Sequence, residues 1–467
     1  MEIMKTPRGY EDIKRLAKEL GCNVTDLLAS DPNRDPFYSG GKSSREKAEW
    51  LAKIWEREGF ESGTHLRRIH YRIVSREGAT KADGTPYKND DSSWNYLSEA
   101  AEYARYLGLI DANDLSDRRN SAPSVYAAAS EGQNPQYQIE VPSWENHFID
   151  AGLHGEDWNT PAVYIEGYEY SKGMQPYHME IWVEKTTMND IFEPLCREFG
   201  ANLVAGAGFL SITSVVGLFR RIEQTGKPCR IFYVSDFDPA GSFMPFSIAR
   251  QIEYWKDMYS FEGDIKLKQV ALTLEQVEKY QLPSIPIKST DTRRETFQER
   301  YGRDATELDA LEANYPGELE RLLRRELEKY YDKELEYACE EARREAERAV
   351  EVWEEEKFGD IKAEIHELQE QVCRIFEDEF EERIKALQNE FNERCALIFE
   401  RKEILQHAVI NEVDSADIPG PPLPEPNVAG DGEDDLWIFD SSRDYLSQLE
   451  IYKRYRPKNR KKGKKER

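Results

Sequence analysis

Between residues 163 and 244, three short apolar runs alternate with helical stretches, and each run ends in polar residues at a turn. The first, MEIWVEK (residues 179–185), alternates and is rich in β-branched and aromatic side chains. It predicts a buried strand with Glu184 at its C-terminal edge. TMNDIFEPLCREFG follows as a helix that closes on Gly200, and ANLVAGAGF predicts a second strand running into a glycine-rich turn. Residues 212–224 predict another helix. RIFYVSDFDPAG is then a third strand, ending in Asp236, Asp238 and a Pro-Ala-Gly turn.

Strand and helix in strict alternation build a parallel sheet, and such sheets present their chemistry at the carboxyl ends of the strands. Glu184 and the Asp236/Asp238 pair are therefore expected on one edge. Residues i and i+2 of an extended segment point the same way, so both aspartates face one point. Three carboxylates converging there repel each other unless a cation joins them. Hard oxygen donors without Cys or His favour Mg²⁺ or Mn²⁺ over zinc. A D-x-D at a strand end is otherwise a solvated turn with a helix N-cap; the strand-terminal Glu184 upstream and the glycine-rich turn between them favour the metal. The arrangement resembles the Toprim domain of topoisomerases, primases and OLD-family nucleases. In that resemblance Glu184 is the family's glutamate, and Asp236 and Asp238 are its DxD pair.

A chain of 467 residues predicts two or three domains. Six scattered cysteines without CxxC spacing point to a reduced compartment and no zinc module. No signal peptide and no apolar run of membrane-spanning length is present, so a cytoplasmic, nucleoid-associated protein without a membrane partner is expected. The formal charge of −26 looks wrong for a DNA-binding protein. Residues 305–417, however, carry 34 acidic and 16 basic side chains, or −18 of the total. Local basic patches rather than net charge decide phosphate binding.

The first 45 residues hold one helical stretch and a Pro/Asp/Gly-rich segment. SGGKSS (residues 39–44) is not a phosphate-binding loop: Pro36 stands where the first glycine belongs and no strand precedes it. It reads as a loop capping the next helix. Amphipathic helices are expected over 44–60, 64–77 and 89–110, the makings of a winged helix-turn-helix over residues 46–150. LRRIHYR puts Arg67, Arg68, His70, Tyr71 and Arg72 within two turns. Taken alone, this segment fits a solvated basic face with Tyr71 packed into the core somewhat better than a DNA-facing helix.

A basic helix carrying a tyrosine, followed by a Toprim domain, resembles the A subunit of topoisomerase VI and the related meiotic double-strand-break protein. It is closest to the short A-like (mini-A) proteins, over roughly residues 45–320. Arg68-Ile69-His70-Tyr71 matches the family's nucleophile motif, with His70 where the family has its first aromatic. Gly206-Ala207-Gly208-Phe209 matches its glycine-rich turn between the Toprim acids. The resemblance implies that Tyr71 attacks a DNA phosphate and becomes linked to it. Where this chain departs from the family, the chemistry of an imidazole beside the hydroxyl makes His70 a candidate base near neutral pH. Arg68 and Arg72 would assist catalysis; Arg67, Arg68, Arg72, Gly206 and Gly208 would contact DNA. It also implies a homodimer, in which one protomer's tyrosine works with the other's metal site, and a possible separate ATPase subunit. Two alternatives stay open: a metal-only Toprim nuclease, and a protein that binds and bridges DNA without cutting it.

Residues 160–316 complete the expected Toprim domain, with Glu307-Leu308-Asp309-Ala310-Leu311 read first as a docking segment and second as a source of further acids. Residues 317–415 hold almost only helix formers. Ile361, Ile365, Leu368, Val372, Ile375, Phe380, Ile384, Leu387 and Phe391 follow a coiled-coil seam. Phe358-Gly359-Asp360 predicts a break that folds this acidic stretch into a helical hairpin. Residues 416–467 are read as a Pro-rich linker, a short apolar patch with one helix, and a basic tail that contacts nucleic acid.

Overall fold

The computed structural model describes residues 7–32, 34–116, 122–130, 135–140, 162–206, 211–289, 291, 293–375, 384–415, 422–432 and 435–455. The chain is mixed α/β and divides into two compact units, residues 1–129, 175–331 and 428–467 in one and 130–174 with 332–427 in the other. The boundaries expected near 150, 316 and 416 do not coincide with these, because the chain leaves the first unit and returns to it twice.

In the first unit, α1 (Tyr10–Leu20) buries Ile13, Leu16 and Ala17 and stops at Gly21, whose φ of 65° suits glycine. Of the SGGKSS stretch only residues 39–41 lie outside helix: Gly41 is the N-cap of α2 (Lys42–Glu58), which begins two residues before the expected start. β1 (Thr64–His65) leads into α3 (Leu66–Val74), and α4 (Asp91–Tyr106) follows. β2 (Leu115–Ser116) pairs with β1 in parallel. Ala48, Leu51 and Ile54 of α2 close a core with Ile69 and Ile73 of α3 and with Leu97, Ala101 and Ala104 of α4.

The second unit contributes the next two strands, β3 (Gln136–Glu140) and β4 (Ala162–Glu166), which pair antiparallel. Back in the first unit come β5 (His178–Val183), α5 (Asn189–Phe199), β6 (Asn202–Ala205) and α6 (Ile212–Thr225). β7 (Cys229–Val234) ends the alternation that the sequence predicts, and α7 (Met244–Met258) and β8 (Ile265–Ala271) extend it. Strand order is β6-β5-β7-β8, all parallel. Every residue of β5 and β7 is buried, as befits parallel strands covered on both faces. Trp182, Ile231 and Tyr233 pack with Val215, Phe219 and Ile248 on one face. Ile181, Val183, Phe232 and Val234 pack with Phe192 and Leu195 on the other. The chain steps from β5 to β6 and then crosses to β7, so the direction of winding switches between β5 and β7. Sheets of this kind open their crevice at that point. Beyond β8 come α8 (Leu274–Lys279), α9 (Arg294–Tyr301), α10 (Leu308–Asn314) and α11 (Glu318–Leu327).

The second unit is built around α12 (Leu335–Ile375) and α13 (Ile384–Ser415). The break expected at Phe358-Gly359-Asp360 is absent, and α12 runs straight through it. A glycine inside a helix costs only about 1 kcal/mol, and Phe358, packed with Val409 and Val413, holds that turn in register. Glu364 pairs with Arg401 while Phe358 meets Val409 and Val413, so the two helices run antiparallel. The predicted seam positions Ile361, Ile365, Leu368, Val372 and Ile375 do face the partner helix, with Cys395, Ile398 and Leu405 opposite. Residues 376–383 and the side chains of Ile384, Leu387 and Phe391 lie outside the described residues. β4 lies along α12, where Val163 donates its N–H to Glu354 Oε1 at 2.9 Å.

The second return to the first unit is the largest departure from expectation. The helix expected after the apolar patch is present as α14 (Tyr445–Tyr455), but the patch itself, read as an appendage to the linker, supplies β9 (Phe439–Asp440), antiparallel to β8. Trp437, Ile438, Phe439, Tyr445, Leu449 and Tyr452 are all buried. Arg230 bridges Asp264 and Asp431, and Lys268 bridges Glu326 and Asp435, fixing this segment to the sheet. The basic run beyond residue 455 lies outside the described residues. Among the described residues no helix is long and apolar enough to cross a membrane.

Candidate functional site

β5 and β7 are hydrogen-bonded neighbours with Val183 opposite Val234, so the residues that follow them emerge side by side. Glu184 N–H donates to Val234 O at 3.2 Å, which places Glu184 beside the start of Ser235-Asp236. Gly206 N–H donates to Val183 O at 2.9 Å, so the glycine-rich turn begins on the same edge; Gly208 lies outside the described residues. Phe237 turns into the core against Phe297 and Tyr301. Its two flanking aspartates are thereby left on the side of Glu184. The register of two parallel strands thus accounts for the meeting of acids that stand more than 50 residues apart.

Each carboxylate is held differently. Asp236 Oδ1 accepts the N–H of Leu308 at 2.8 Å, and its Oδ2 lies 2.8 Å from Lys185 Nζ. Asp238 Oδ1 accepts the N–H of Gly241 at 2.6 Å. Gly241 is the close approach in the Pro-Ala-Gly turn: a Cβ there would lie 2.2 Å from Asp236 O and 3.2 Å from Glu184 Oε2. Glu184 Oε2 itself is buried and accepts no hydrogen bond. Burial, then the charges of Asp238 and Asp236, push the Glu184 carboxyl up to about 7. Burial and Asp236 raise Asp238 as well. This is the electrostatic signature of carboxylates short of positive charge.

The donor set suits a hard divalent cation: oxygen donors only, one of them buried without a partner. The side chains are not drawn in as a finished ligand shell, since among the described residues no three His, Cys, Asp or Glu side chains are grouped closely enough to hold an ion. Lys185 takes the place of a cation at Asp236 and also reaches Asp309 Oδ2 at 3.3 Å. The ELDAL segment docks, as read first, and also brings one acid to this lysine. Leu308 and Leu311 are buried as docking residues, and Asp309 joins the charge cluster.

On α3, Ile69, His70 and Ile73 are buried, and Arg67, Arg68, Tyr71 and Arg72 are exposed. Tyr71 is 60% exposed, which overturns the reading of it as a core tyrosine. Residue 71 lies two positions from Ile69 and Ile73, about 200° around the helix from each, and so on the opposite face. Arg67 and Arg68, one turn earlier, make no ion pair with a described residue. Arg72 is tied to Glu58 by its Nε at 2.9 Å, and Arg76 to the same carboxylate, so Arg72 is less available than its neighbours. His70 is not placed as a base for Tyr71: its Nδ1 lies 2.7 Å from Tyr87 Oη and its Nε2 3.1 Å from Asn89 Oδ1. The imidazole is occupied within the core and meets the Tyr71 ring only edge-on.

Sequence reasoning missed Lys185 and left Asp309 as a second choice. Lys185 was visible as the residue directly after the strand-terminal glutamate, but a lone lysine at a strand end is ordinarily solvated. Only the Leu308 N–H bond to Asp236 brings Asp309 into reach. No protein-family model matches this chain, and no curated protein matches it closely enough to count as a relative.

Proposed function

We propose that this chain is a DNA-cleaving enzyme of the topoisomerase VI A type, with a Toprim domain formed around β5–β8 and a winged-helix domain formed by α2–α4. The observation that carries the reading is Tyr71, a large aromatic standing 60% exposed beside Arg67 and Arg68 on a helix whose other face is core. In the proposed reaction the Tyr71 hydroxyl oxygen bonds to a backbone phosphorus and the bond from that phosphorus to a deoxyribose oxygen breaks. The hydroxyl proton leaves to solvent, and the released sugar oxygen takes one up. Arg67 and Arg68 stabilise the added negative charge on the phosphoryl oxygens. Glu184, Asp236 and Asp238 would hold Mg²⁺ or Mn²⁺. Such an ion supplies charge neutralisation at the phosphate. On this reading the chain works as a homodimer with the helical pair α12–α13 as a coiled-coil arm, beside DNA in the nucleoid and with a separate ATPase subunit as a possible partner.

One observation favours a second reading, hydrolysis by the carboxylate site alone: both ring nitrogens of His70 are occupied, which leaves Tyr71 without that base. A denaturant-trapped protein–DNA adduct, present with the native chain and absent with Tyr71→Phe, supports the tyrosine mechanism. Metal-dependent cleavage that survives Tyr71→Phe overturns it in favour of the nuclease. Bound DNA that is never cut overturns both.

A further inference from the structure

Asp236 spends both carboxylate oxygens inside the protein, Oδ1 on Leu308 N–H and Oδ2 on the Lys185 ammonium. Leu308 opens α10, and the next residue, Asp309, is the other acid within 3.3 Å of Lys185 Nζ. The same carboxylate thus positions the acid that shares its lysine. Asp309 is also the more exposed of the two, its side chain 55% accessible against 8% for Asp236.

We propose that Lys185 is the site's own counter-ion, competing with a divalent cation for Asp236, and that Asp309 is the positioning residue that takes over the ammonium when the cation binds. This rests on the reading of Glu184, Asp236 and Asp238 as a cation site. One unit of positive charge cannot neutralise three carboxylates, so the edge still attracts an ion; that ion must nevertheless displace Lys185 to reach Asp236 Oδ2. Affinity is therefore set by an exchange, and the two residues act with opposite sign. Loss of the lysine charge strengthens cation binding. Loss of the Asp309 charge weakens it, because the ammonium then has only Asp236 to pair with.

Mn²⁺ titration of the full chain, followed by the electron paramagnetic resonance of free Mn²⁺, tests this without recourse to activity. Lys185→Met keeps the aliphatic stem and is expected to tighten Mn²⁺ binding about tenfold or more, the order produced by removing a unit charge a few ångströms from an ion. Asp309→Asn should loosen binding several-fold in the native background and clearly less in the Lys185→Met background, where only its direct attraction to the ion remains. Lys185→Gln, a second neutral replacement, should behave as Lys185→Met and covers the case in which the latter fails to fold. Binding that depends on Glu184, lost in Glu184→Gln, yet is unchanged or weakened by both Lys185 variants overturns the counter-ion role and leaves the cation site standing. An Asp309→Asn effect of the same size in the double variant overturns the positioning role and makes Asp309 act on the ion directly. Absence of binding in the native chain and both Lys185 variants overturns the cation site and the counter-ion with it.

Discussion

At the carboxyl edge of the sheet, Glu184, Asp236 and Asp238 face one another largely out of water, whereas on α3 Arg67, Arg68 and Tyr71 stand in it. The first group is fixed by strand register and hydrogen bonds to turns, and its charges strain the fold. The second is held only by the helix beneath it. Groups of the first kind titrate abnormally and resist replacement; those of the second can be exchanged without disturbing the structure. Function and stability should therefore separate cleanly on α3 and remain entangled at the sheet.

The largest effect is expected where the two regions are asked for activity. Tyr71→Phe should eliminate the covalent adduct and cleavage while shifting unfolding free energy by no more than about 0.5 kcal/mol, as for an exposed site. Glu184→Gln and Asp236→Asn should also abolish cleavage, but each changes stability as well. Cleavage by Tyr71→Phe at the native rate, measured on supercoiled DNA, breaks the comparison at α3.

Next in size is a pair of arginines that contrast the same two regions. Arg221 of α6 clamps Glu180, in the middle of β5 and fully buried, through Nε at 2.7 Å and Nη2 at 2.9 Å. Burial alone would raise the Glu180 carboxyl, but Arg221 and His178 outweigh it and hold it far below the usual range. Arg221→Met leaves that charge in the core with only His178, Trp182 and Asn202 to hold it and should cost about 3 kcal/mol. Arg68→Met on α3, in water and without an ion pair to a described residue, should leave chemical denaturation unchanged and lower DNA affinity. An equal loss of stability from the two would show that α3 is not the freely exchangeable face described above.

The helical pair offers a control outside both regions. Ile365→Asp with Val372→Asp puts two charges into the α12–α13 seam and should cost several kcal/mol, seen as lost helicity by circular dichroism. Mn²⁺ binding at the sheet edge should persist. Its loss would tie the integrity of the sheet edge to that of the second unit.

What was legible in the sequence follows the same division. β5 and β7 could be read because a buried parallel strand is a short apolar run between turns, and Glu184, Asp236 and Asp238 are simply the residues on which such runs end. The exposure of Tyr71 was legible in principle, since Ile69 and Ile73 fix the buried face of α3. β9 was not, because a two-residue edge strand has no pattern of its own and its partner, β8, lies some 170 residues upstream. Nor was Arg250 of α7, buried where Asp35, Glu253 and Tyr445 converge from three separate parts of the chain. Gly359 misled for a physical reason: a local preference of about 1 kcal/mol yields to the packing of a long helix pair.

The smallest expected effect is also the one that reads the strain at the sheet edge directly. The Glu184 carboxyl, raised from its ordinary 4.5 to about 7, keeps its proton in the folded chain over a range in which the unfolded chain has released it. The folded state then binds more protons than the unfolded one, so stability is full below about pH 4.5, falls as pH rises, and levels off above about pH 7. A shift of this size corresponds to about 3 kcal/mol at most. Glu184→Gln has no proton to lose. With divalent cations chelated, it should match the native chain near pH 4.5 and exceed it by up to that amount at pH 8, in urea unfolding at each pH. Adding Mg²⁺ at pH 8 should narrow the gap by stabilising the native chain more than the variant, which lacks one of the three carboxylates. Parallel pH profiles for the two proteins would mean that Glu184 is not crowded by Asp236 and Asp238, and the contrast between a strained sheet edge and a relaxed α3 would collapse.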